Sequence, residues 1–183
     1  MERWPPVYDA VELAGQIKTL AARDALLEDF FSDRPASVAW CQGDVVRLPA
    51  VIPILNERGA ALADNAHLTG WLLLSNTCDL DRSLTEVEWA QAVPIFQLGT
   101  DENVSDRELL ALRRYQYSRQ FYLPAWVRGP RRRHYVADLT MPVTVSRRAL
   151  ASAQRLARLS MTGWLLLHSC LVRFLARGDG RFD

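Results

Sequence analysis

Lysine is almost missing from this chain: of its 22 basic residues only Lys18 is a lysine, and the rest are arginines. A cationic surface built this way presents planar guanidinium forks, which match carboxylate or phosphate two bonds at a time, where lysine would supply point charges. Cysteine is scarce as well. Cys41, Cys78 and Cys170 are odd in number, far apart and outside the paired spacings of zinc sites, which argues against a disulfide framework or a metal site and for buried, reduced thiols. No apolar run approaches the roughly 18 to 20 residues that cross a bilayer. Met1 is followed by Glu2, Arg3, Trp4, Pro5 and Pro6 and not by an apolar leader, so a cytoplasmic protein without membrane contact is expected. Also absent are a glycine-rich phosphate loop, His-Glu-x-x-His, Gly-x-Ser-x-Gly and a nuclease-type carboxylate cluster. Their absence weighs against nucleotide hydrolysis and serine hydrolase chemistry, and nothing implies a cofactor.

What is present suits one globular α+β domain. The 183 residues are 49% hydrophobic and 23% charged, an ordinary balance for a chain that buries its own core. Net charge is only +1, yet it is unevenly distributed. Residues 1–106 carry 17 acidic and 7 basic side chains, and residues 107–183 carry 4 acidic and 15 basic ones. Either the two halves pair internally, or the second half offers a basic face to phosphates.

Apolar residues from Tyr8 to Phe31 recur at three- and four-residue intervals between Pro5-Pro6 and Pro35, which predicts an amphipathic helix. Strand character follows from Ser37 to Leu48, then a long loop over 49–69 with a short ribbon near Val51–Leu55, and a buried strand in Gly70-Trp71-Leu72-Leu73-Leu74-Ser75. Glu88 to Ile95 reads as a strand with Pro94 near its edge. Residues 101–120 read as one or two helices, with Ser105 and Glu108 spaced as a capping box. Strands are expected at Phe121–Trp126 and His134–Leu139 around an arginine-rich turn, extended chain at Pro142–Val145, a helix beginning at Arg147 and running to Leu159, and an apolar helix from Trp164 to Arg177. Gly-Trp-Leu-Leu-Leu occurs at 70–74 and at 163–167; two such short copies in different expected structures argue for chance and not duplication.

The order of these features resembles the MazF/PemK-like toxin family. Its pieces are Gly43-Asp44-Val45-Val46, the loop over 49–69, Trp71-Leu72-Leu73-Leu74-Ser75, Val93-Pro94, Val143 to Leu150, and Ala157-Arg158-Leu159-Ser160. The resemblance implies a small SH3-like β-barrel with a C-terminal helix over 36–183, carrying a helical insertion at about 101–120 and preceded by an N-terminal helical extension over 1–35. It also implies a toxin–antitoxin or phage-defence setting. In the ribonuclease toxins an arginine precedes the proline that opens the second strand, and Thr or Ser follows the Val-Pro pair; here those places hold Thr69-Gly70 and Ile95-Phe96. Without the arginine no cation stands there to meet the charge developing on the phosphorane, so the resemblance implies a barrel that has lost its ribonuclease chemistry.

Two constellations carry candidate sites. Ser75, Asn76, Thr77, Cys78, Asp79 and Asp81 leave the end of an apolar strand, where they would present a nucleophile or a weak metal site. Alternatively Asn76 and Asp79 bond backbone groups in a turn while Cys78 packs inward. Arg113, Arg114, Arg119, Arg128, Arg131, Arg132 and Arg133, interleaved with Tyr115, Tyr117, Phe121, Tyr122 and Trp126, suit single-stranded RNA or DNA, since guanidiniums neutralise phosphates while rings stack bases. Against this stands an ordinary helix and hairpin whose aromatics are core. His168 and Cys170 read as core positions of the last helix. Two rivals stay open: an active endoribonuclease in which Arg47, Arg119 or the 131–133 cluster replaces the missing arginine, and a module that binds a protein partner or a second copy through Trp4 and the first and last helices.

Overall fold

The computed structural model describes residues 10–22, 30–32, 39–48, 68–100, 104–126 and 133–176. In chain order they form α1 (Ala10–Ala21), β1 (Asp44–Arg47), β2 (Leu68–Leu73), α2 (Thr77–Asp81), β3 (Trp89–Thr100), α3 (Asp106–Arg113), β4 (Gln120–Leu123), β5 (Arg133–Asp138), β6 (Val143–Ser146), α4 (Arg147–Leu150), β7 (Gln154–Arg158) and α5 (Met161–Ala176). The chain is α+β. The strands run in the order β4-β5-β3-β2-β1-β7, with β6 also against β3, and every ladder is antiparallel. The sheet is open: among the described residues no ladder joins β7 to β6 or to β4.

β3 organises this sheet. One of its edges pairs with β2, and the other is handed from β6, which ends at Ala92↔Val143, to β5, which begins at Ile95↔Ala137. Val93 and Pro94 fall in the gap between these two partners. Pro94 is therefore buried in a central strand and not at an edge, at the place where a residue without an N–H costs the ladder least.

Alternation along the strands divides the interior into two clusters, one on each face. Val45, Leu72, Val93 and Ile95 join residues of α1, α3, β4, β5 and α5 on one side. Val46, Trp71, Leu73, Ala90, Ala92, Val145 and Leu150 gather on the other. Trp71-Leu72-Leu73 is continuous in its apolarity because β2 is covered on both faces. The second Gly-Trp-Leu-Leu-Leu lies in α5, with Leu166 and Leu167 buried and Leu165 exposed, so the repeat has no structural counterpart.

Several expected elements change. The first helix does not reach Phe31, which instead bridges Leu159, while Ser32 N–H donates to the Arg158 carbonyl. Within the described residues 39–48 the expected strand narrows to β1, and the insertion over 101–120 holds one described helix, α3, whose Ser105 Oγ accepts from Glu108 N–H as the capping box requires. The turn after β2 is a short helix, α2. The helix expected over 147–159 stops after one turn, because residues 154–158 are taken up as the partner of β1. Most of the long loop and its ribbon, and the turn over 127–132, lie outside the described residues.

Two glycines bring the last helix and the first strand together. Gly43 has φ 86, and a β-carbon there would stand 2.7 Å from Leu159 Cδ1. At Gly163 a β-carbon would stand 2.6 Å from the Phe30 carbonyl oxygen, so only glycine lets the start of α5 approach that backbone.

Candidate functional site

At the end of β2 the chain turns into α2 and makes a shallow cavity of about 360 Å³, lined by Leu74, Ser75, Asn76, Asp79, Trp89, Ala90, Gln91 and Thr144. Ser75 Oγ accepts from Gln91 N–H at 2.8 Å, a bond that ties the turn to β3. Asn76 occupies the N-cap position without a side-chain capping bond; its carbonyl accepts from Asp79 and Leu80. Asp79 stands 3.8 Å from Arg82. Ser75, Asn76 and Asp79 thus come together, but Cys78 does not join them. Among the described lining residues there is no histidine, lysine or arginine, which leaves the Asp79 carboxylate as the one group there able to act as a general base. Among the described residues no group of three His, Cys, Asp or Glu is placed to hold a metal.

Cys78 is exposed, which corrects the expectation that it packs inward. Cys170 is buried, and desolvation pushes its thiol up to about 12. At pH 8 a disulfide exchange reagent is therefore expected to modify Cys78 quickly in the native protein and Cys170 only on unfolding, which mass spectrometry of the labelled peptides would read directly. Equal labelling of the two would contradict the burial of α5. His168 is exposed, with its ring beside Trp164, and not in the core; His134 is buried, with Nδ1 3.0 Å from the Tyr122 hydroxyl.

The two places where the sequence resemblance looks for the toxin family's catalytic pair are neighbours in space. Leu68 pairs with Phe96, and Thr69 Oγ1 donates to the Ile95 carbonyl at 3.1 Å. Thr69 spends its hydroxyl on the ladder, and Ile95 is fully buried.

The arginine and aromatic constellation separates. Arg119 is exposed beside the end of β5, where its carbonyl takes the Leu139 N–H. Arg133 is exposed at the other end of that strand, 3.5 Å from Gln97 Oε1. Arg128, Arg131 and Arg132 lie outside the described residues. Tyr122 is 3% exposed; with α1, α3 and α5 packed over β4, its ring faces the interior and offers no platform for a base, and Phe121 and Tyr115 are buried with it.

Arg113 and Arg114 meet two cations that lie far from them in sequence. Together with Lys18 of α1 and Arg173 of α5 they line a cleft of about 890 Å³ over a floor that includes Ile17, Phe30 and Pro124. All four charged residues among the described lining are cationic. The Nε atoms of Arg113 and Arg173 are buried without a hydrogen-bond partner, and a buried donor left unpaired costs about 1–3 kcal/mol. α3 ends at this cleft in a Schellman motif, with Gln116 N–H to Ala111 and Tyr115 N–H to Leu112. Tyr115 takes the left-handed position at φ 51, where glycine is usual, and its hydroxyl donates to the Tyr122 carbonyl. Burial pushes its phenol well above the ordinary value.

No protein-family model, curated protein or solved structure matches this chain.

Two arginine centres escaped the sequence reading. Asp44, fully buried, accepts from Arg158 Nε at 2.8 Å and Nη2 at 3.0 Å, from Arg155 Nε at 3.0 Å and from Cys41 N–H at 2.9 Å. The bond to Asp44 raises the Arg158 guanidinium further above its ordinary value, so it stays charged. Arg147 donates to the carbonyls of Leu80, Arg82 and Val87 at 2.5, 2.7 and 2.5 Å, fastening α2 and the chain after it to the end of β6. Neither centre forms a motif, because its members lie dozens of residues apart.

Proposed function

We propose that this chain is a MazF/PemK-like, SH3-like barrel that no longer cleaves RNA and works as a nucleic-acid-binding or assembly component, in a toxin–antitoxin or phage-defence setting. The basic cleft carries the binding half of this reading: four cations from three helices, with no carboxylate among the described lining residues, make a ready site for phosphate. The barrel half is supported by pairing of the core's first strand, β1, with its last, β7. It is supported too by the apolar cluster on one face of the neighbouring strands β1, β2, β3 and β6, over which Leu150 of α4 packs. The loss of cleavage is supported by Thr69 and Ile95, which place no cation and no free hydroxyl where the family has its pair.

Binding of a labelled single-stranded RNA tests the reading. Four phosphate contacts predict a fall in log K with log salt of slope about −3, and Arg113→Gln with Arg114→Gln should flatten that slope by about 1.4. Salt-independent binding, or a variant that binds like the wild type, would remove the cleft from the function; cleavage of the RNA would promote the active endoribonuclease. A protein partner is the second reading. It is favoured by Met161, Leu165 and Leu175, large apolar side chains exposed along one face of α5.

A further inference from the structure

We infer that the cleft between α1, α3 and α5 receives the terminal phosphate of a nucleic-acid strand and not an internal stretch of its backbone. The inference rests on the nucleic-acid reading above and names the part of the strand that the cleft takes. A groove that follows a backbone spreads its cations along a track, since each phosphodiester carries one charge. Here Lys18, Arg113, Arg114 and Arg173 converge from three helices on one space of about 890 Å³, within the range of pockets that enclose a small ligand. A terminal phosphomonoester brings about −1.5 to −2 charges at neutral pH and three strong acceptor oxygens to one point. Convergent donors match that charge density better than they match a diester.

The arginine geometry points the same way. Nε with its neighbouring Nη forms one of the edges by which a guanidinium holds two phosphate oxygens. In Arg113 and Arg173 that Nε is buried without a partner, so its donor is spare once the side chain turns toward a phosphate, while Arg173 Nη2 already donates to the Tyr117 carbonyl at 3.4 Å. The rings that line the cleft do not compete for the ligand: Tyr115 and Tyr122 are each 3% exposed and offer no stacking face, while the exposed Tyr117, whose carbonyl takes Arg173 Nη2, is not part of the lining. Tyr115 holds its left-handed backbone and its hydroxyl donates to the Tyr122 carbonyl, and it lines the cleft together with the preceding Arg113 and Arg114. Recognition by the cleft lining should therefore follow the phosphate.

The experiment compares one short single-stranded RNA sequence bearing a 5′-phosphate, a 3′-phosphate or hydroxyls at both ends, by fluorescence anisotropy at moderate salt. At least one phosphorylated strand is expected to bind about tenfold to a hundredfold more tightly than the hydroxyl strand, the worth of one to a few charge-assisted hydrogen bonds. Lys18→Gln with Arg114→Gln, both at exposed positions where substitution spares the fold, should reduce that preference severalfold, with circular dichroism confirming the fold. Equal affinity for all three strands would overturn the terminal-phosphate inference and leave the nucleic-acid reading standing. Absence of any salt-sensitive binding would overturn both. A preference untouched in the variant would place the phosphate elsewhere, and competition by adenosine 5′-monophosphate as strong as by the strand itself would make the ligand a free nucleotide.

Discussion

Replacing Asp44 with alanine is expected to cost about 3–5 kcal/mol, which is the usual penalty for removing one partner of a buried ion pair and a large part of the roughly 5–15 kcal/mol that holds a domain folded. The carboxylate is fully buried, and the guanidiniums of Arg155 and Arg158 converge on it with their side chains only 13% and 19% exposed. Both also donate to the Ala39 carbonyl, at 2.7 and 2.6 Å, so one acidic group gathers the chain before β1 and the strand that flanks it. Without the carboxylate, two cations lie close together with nothing to offset their repulsion. Urea denaturation would read the loss as a lower midpoint at an unchanged slope. Asp44→Ala combined with Arg155→Met and Arg158→Met should be less destabilised than Asp44→Ala alone, because the uncompensated charge is then gone. A triple variant no better than the single one would mean that the β1–β7 ladder, and not the charge cluster, depends on Asp44.

Gly43-Asp44 was legible as the opening of a strand, but its role was not. The glycine is required by the left-handed turn against Leu159, and the aspartate by arginines more than a hundred residues away. What sequence conveyed well was local. The spacing of Ser105 and Glu108 specifies a helix start whatever lies around it, and the apolar run at Trp71 specifies burial on two faces. What it conveyed poorly was set by tertiary partners. Residues 154–158 were expected to continue a helix and became a strand because β1 offered an edge for them to pair with. The repeated Gly-Trp-Leu-Leu-Leu makes the point within one chain: flanked by β1 and β3 it is a strand, and packed against α1 it is a helix. The binding candidates follow the same division. Arg113 and Arg114 were found as neighbours in sequence, whereas Lys18 and Arg173 complete the cleft only through the packing of α1 on α5. Tyr122 was misplaced because an aromatic residue beside arginines looks the same in sequence whether its ring faces solvent or core.

Arg147→Ala is expected to cost about 2–4 kcal/mol and to release α2 locally, since hydrogen bonds from a charged donor contribute about 1.5–3 kcal/mol each and part of this centre is open to water. The guanidinium is paired with carbonyls and not with a carboxylate, so removing it strands three acceptors at once. Its own N–H donates to the Glu88 carbonyl, which ties the far end of the same loop to the start of α4. Losing the side chain should therefore speed hydrogen exchange at Leu80 and Val87, whose N–H groups donate to the Asn76 and Ser83 carbonyls, while the β3–β5 ladder keeps its protection. Arg147→Lys should recover little of the loss, because an ammonium on a flexible stem cannot place donors on three separated carbonyls as a planar fork does. Unchanged exchange at Leu80 and Val87 in the alanine variant would mean that α2 holds itself. Faster exchange there, with Ala90 and Ala92 still protected in the β3–β6 ladder, would make Arg147 the residue that shapes the Ser75, Asn76 and Asp79 cavity from outside it, by fixing the helix on which Asp79 stands.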